Sequence, residues 1–72
     1  MLNEVPDIIW ANNLIEKLED GMFWHIPRSD SILRIDKERN RFILIQGNMN
    51  DHQDIVMMLS KVGYHIIERD RE

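Results

Sequence analysis

Cysteine is missing altogether, and only two prolines and three glycines punctuate the 72 residues. Without cysteine there is no disulfide staple and no thiolate metal site, and a chain free of thiols fits a reducing compartment such as the cytoplasm. No apolar run approaches the roughly 18 residues a membrane-spanning helix needs. The opening stretch Met1 to Asp7 is acidic, so it does not read as a secretory signal. Net positive charge is lacking too: nine Lys and Arg stand against 13 Asp and Glu, a formal −4. That balance argues against a generic nucleic-acid binder, which is usually basic overall.

What is present is an ordinary share of apolar residues, 43%, without a low-complexity tract, as in a folded globule. The length predicts a single small domain over residues 1–72, with 1–5 and 70–72 frayed. A domain of this size buries only about 60% of its unfolded surface. Its stability margin is then on the order of 3–5 kcal/mol. The charge is unevenly placed. Residues 28–41 carry Arg28, Arg34, Lys37, Arg39 and Arg41 against Asp30, Asp36 and Glu38, whereas residues 1–27 carry five acidic residues against Lys17.

Residues 7–20 predict an amphipathic helix, because Ile8, Ala11, Leu14, Ile15 and Leu18 recur at three- and four-residue spacings. Asp7 is placed to cap its first turn, and Gly21 to end it in a left-handed conformation. Trp10 lies off the centre of this stripe, at the core's edge. Met22 to Pro27 predicts a short strand with Met22, Trp24 and Ile26 on one face and Phe23 and His25 on the other. Asn50 followed by Gln53 has the spacing of a capping box for a second helix running to about Val62. That helix buries Ile55, Met58, Leu59 and Val62. Gly63 closes it, and Tyr64 to Arg69 predicts a last strand.

Between the helices lies a hairpin, two apolar runs around a charged turn. A three-residue loop, Glu38-Arg39-Asn40, places Asn40 in the left-handed position it tolerates. Ile35 then faces Ile43 and Leu33 faces Ile45, an aliphatic core face. The opposite face carries Ile32, Arg34, Asp36, Phe42, Leu44 and Gln46. A two- or four-residue loop would instead oppose Arg34 to Ile43, a less clean pairing. The choice matters because a one-residue slip exchanges the faces. The element order is α-β-β-β-α-β, and the expected architecture is α+β, two helices on one face of a small, mostly antiparallel four-stranded sheet.

No motif names a reaction. His25, His52 and His65 have no second ligand at metal-site spacing, and a zinc site needs three or four convergent ligands. No catalytic residue, metal or cofactor is implied. Gly47-Asn48-Met49-Asn50 precedes a helix but lacks the lysine and further glycine of a phosphate loop.

Two surfaces remain as candidates. The first is the strand Phe42 to Ile45, apolar on both faces, as strands covered on both sides usually are. Two short helices cover one face only, so the second would expose Ile32, Phe42 and Leu44, with Phe23, rimmed by Arg34 and Arg41; an exposed apolar patch commonly marks an interface, and Ile32, Arg34, Phe42 and Leu44 are its candidate contacts. These four residues predict a non-enzymatic protein-interaction module, regulator or inhibitor, binding another protein or a second copy of itself through the open face or an edge strand. Its size is that of regulators carried by phages and mobile elements.

The second candidate is the basic set Arg28, Arg34, Lys37, Arg39 and Arg41, which would contact nucleic acid. A helix on a three-stranded sheet followed by a second helix is the element order of double-stranded-RNA-binding domains and of the small RNase toxins built on them. The sequence departs from both. His25 sits in Phe-Trp-His-Ile without flanking glycine, and the second helix starts with Asp51 and Asp54 rather than basic residues.

Overall fold

The structure is a computed structural model that describes residues 7–68. The expected frayed ends, 1–5 and 70–72, lie outside the described residues. Helix α1 spans Ile8–Lys17, and α2 spans Gln53–Lys61 after a 3-10 turn at Asn50–His52. The strands are β1 (Phe23–His25), β2 (Ile32–Asp36), β3 (Arg41–Gln46) and β4 (His65–Glu68). The sheet order is β1-β2-β3-β4, with β1, β2 and β3 antiparallel in sequence and β4 parallel to β3. Two helices and a mostly antiparallel four-stranded sheet form the expected α+β fold.

Helix α1 begins as its sequence dictates, with Asp7 Oδ1 accepting the Trp10 N–H at 2.8 Å. It ends earlier than Gly21. Leu18 is already extended, and the Met22 N–H bonds to the Glu19 carbonyl across a turn. Gly21, at φ +88°, is the third residue of that turn, the position that demands positive φ in a type II turn. Helix α2 closes at Gly63 as predicted. The Tyr64 N–H bonds to the Leu59 carbonyl and the Gly63 N–H to the Ser60 carbonyl, the two bonds of a Schellman end. Its start differs. No capping box forms between Asn50 and Gln53; Asn48 Oδ1 accepts the Asn50 N–H, and the Gln53 amide donates to the Met49 carbonyl. Met49, the residue before the 3-10 turn, is buried in the core.

The hairpin register is the main correction. Asp36 pairs with Arg41, Ile35 with Phe42, Arg34 with Ile43 and Leu33 with Leu44. The loop therefore has four residues, 37 to 40, with Asn40 at φ 52°. Phe42 and Leu44 are not on the open face. They are 0% and 6% exposed, in one core with Leu33, Ile35, Ala11, Leu14, Leu18, Ile55 and Leu59. Two physical terms decide this. Phe42 buries more apolar area than the isoleucine it would be exchanged for, and its ring meets that of Tyr64 at 5.7 Å. The Arg34–Ile43 pairing carries no penalty, because on a solvated face the arginine stem can lie along apolar surface while its guanidinium stays in water.

One residue later the ladder shifts. Ile32 pairs with Gln46 rather than Ile45, which leaves Ile45 as the extra residue of a β-bulge. Gly47 follows at φ +89°, and a Cβ there would meet Ser31 Cα at 2.7 Å. Glycine is thus required twice over, for its φ and for the close approach of two backbones.

Candidate protein interaction surface

The face of the sheet turned away from the helices is built by alternation. Phe23, Arg34, Ile43 and Ile67 are cross-strand partners in one continuous row over all four strands. On one side of it lies the row His25, Ile32, Gln46, and on the other the row Asp36, Arg41, His65. Phe23 is 58% exposed and Ile45 39%, Arg34 is exposed, and Ile32, Ile43 and Ile67 are half-buried by their neighbours on the strands.

The electrostatics of the face are uneven. Asp36 Oδ2 accepts from Arg41 Nε at 3.0 Å, and Arg39 Nη1 lies 3.9 Å from the same oxygen. Desolvation pushes the Asp36 carboxyl up, but the Arg41 hydrogen bond, the Arg39 backbone N–H and both positive charges outweigh it and hold the group below its ordinary value. Arg34 has no ion-pair partner among the described residues. Tyr64, on the helix side, has its phenol pushed up by burial and by the charges of Asp20 and Asp36.

Of the four residues expected to form the interaction surface, Ile32 and Arg34 lie on the open face and Phe42 and Leu44 in the core. Phe23, expected beside that patch, does lie on the open face; Ile43, expected on the core face, lies there too, and Ile67 was not among the expected residues. The signal was available: setting Asp36 opposite Arg41, an attractive cross-strand pair of opposite charges, gives the correct register and with it the whole row.

The basic set is not brought together. Arg28 lies in the β1–β2 loop at one end of the sheet, and Lys37 and Arg39 lie in the turn at the other. The five-residue β2 separates them by about 17 Å, and Arg39 and Arg41 both face Asp36.

A polar group closes the end of the sheet near Arg28. His25 Nε2 donates to the Ser29 carbonyl at 2.6 Å, and Ser29 Oγ lies 3.2 Å from His52 Nε2 while accepting the Ser31 N–H at 2.9 Å. A serine beside a histidine is the geometry of a nucleophile and its base. Here the hydroxyl braces a turn, and no carboxylate bonds to His52 among the described residues. His25 and His65 stand on opposite edge strands. Among the described residues no group of three His, Cys, Asp or Glu could hold a metal, and no helix is long and apolar enough to cross a membrane.

No protein-family model matches this chain, and neither does any curated protein or solved structure with which it was compared.

Proposed function

We propose that this chain is a non-enzymatic protein-interaction module, a regulator or inhibitor of another protein, that binds through the sheet face opposite its helices. The observation that carries this reading is the row Phe23, Arg34, Ile43, Ile67 with Ile32 and Ile45 beside it. Contiguous apolar residues on a face that no other described residue covers are the usual mark of an interface; here Phe23 and Ile45 are exposed, Ile32, Ile43 and Ile67 are half-buried, and none belongs to the core.

The test is affinity capture from native cells with the wild type, an Ile43→Glu, Ile67→Glu variant, and a Met57→Glu control on the exposed side of α2. Circular dichroism establishes that each is folded. Capture retained by the control and lost by the sheet variant supports the reading. A folded sheet variant that captures the same partners refutes it.

Nucleic-acid binding through the basic set has less support, because the set is spread from the β1–β2 loop through Arg34 in mid-sheet to the β2–β3 turn, and Arg39 and Arg41 are engaged with Asp36. Salt-dependent binding of an RNA or DNA oligonucleotide, losing about one unit of slope per arginine removed, would favour it over the protein-binding reading.

A further inference from the structure

We draw no further inference here: the strongest candidate, the open sheet face built around Phe23, Arg34, Ile43 and Ile67, belongs to the site already described, and nothing in the structure shows what covers it.

Discussion

The rings of Phe42 and Tyr64 lie 5.7 Å apart and tilted by 56°, joining β3 to the residue that leads into β4. This contact fixes the inner side of the hairpin, because Phe42 is fully buried while its neighbour Ile43 faces outward. Phe42→Ala removes the ring and leaves a cavity, at a cost of about 3–5 kcal/mol. That equals the whole margin of a domain this small, so the variant is expected to be largely unfolded at 25 °C by urea titration. Ile43→Ala, one residue along on the open face, should stay within about 1 kcal/mol of wild type. Equal losses at the two positions would mean that the register is wrong.

Gly47 offers a second check on the same ladder. An alanine there must hold a left-handed φ, worth about 1–2 kcal/mol of strain, and must also push its Cβ against the backbone of Ser31. Gly47→Ala is expected to lose at least about 2 kcal/mol. Gly21, where a Cβ would meet nothing within 4 Å, should show the strain alone. Urea midpoints that rank Gly21→Ala as the more damaging change would contradict this account of the bulge.

Asp36 makes stability depend on acid in a defined direction. Its carboxyl is held below the ordinary value of 3.8, so its contribution is complete above that pH. The contribution is lost as pH falls below 3.8 toward the folded-state value. Thermal unfolding of wild type and Asp36→Asn should differ by a constant amount between pH 5 and 7, and the two should converge below about pH 3.8. A gap that stays constant down to pH 2.5 would show that the carboxylate charge is not what stabilises the turn.

Ser29 is expected to act structurally. Its hydroxyl accepts the Ser31 N–H and meets His52, tying the β1–β2 loop to the start of α2. Ser29→Ala should cost about 1 kcal/mol, the usual net value of such a bond, and should speed hydrogen exchange at the Ser31 amide. An unchanged exchange rate would mean that the brace is not formed in solution.

The elements themselves were legible in the sequence, for reasons that are local. Asp7 and Gly63 cap helices by their own chemistry, and the aliphatic stripe Ala11, Leu14, Leu18 needs only the helical period to be found. What could not be read locally was which side of β3 faces in. Phe42 to Ile45 is apolar throughout, so alternation is silent, and the decision falls to loop length and to Asp36 opposite Arg41. The surface was therefore half right, with Ile32 and Arg34 on it and Phe42 and Leu44 beneath it. The meeting of Ser29 and His52, 23 residues apart, leaves no trace in spacing at all.

The strand order of the sheet is the order of the chain, and this sets a timetable for its birth on a ribosome. β1, β2 and β3 can pair by short local turns once residue 46 has emerged, but β4 must return across α2 to lie beside β3, a slower non-local step. In the interval Phe42 has neither the Tyr64 ring nor its β4 neighbour Ile66 beside it, so the β4 edge of the apolar inner face stays open in the growing chain. Nascent chains arrested before Tyr64 should be cleaved by protease within β3, and released full-length chains protected there.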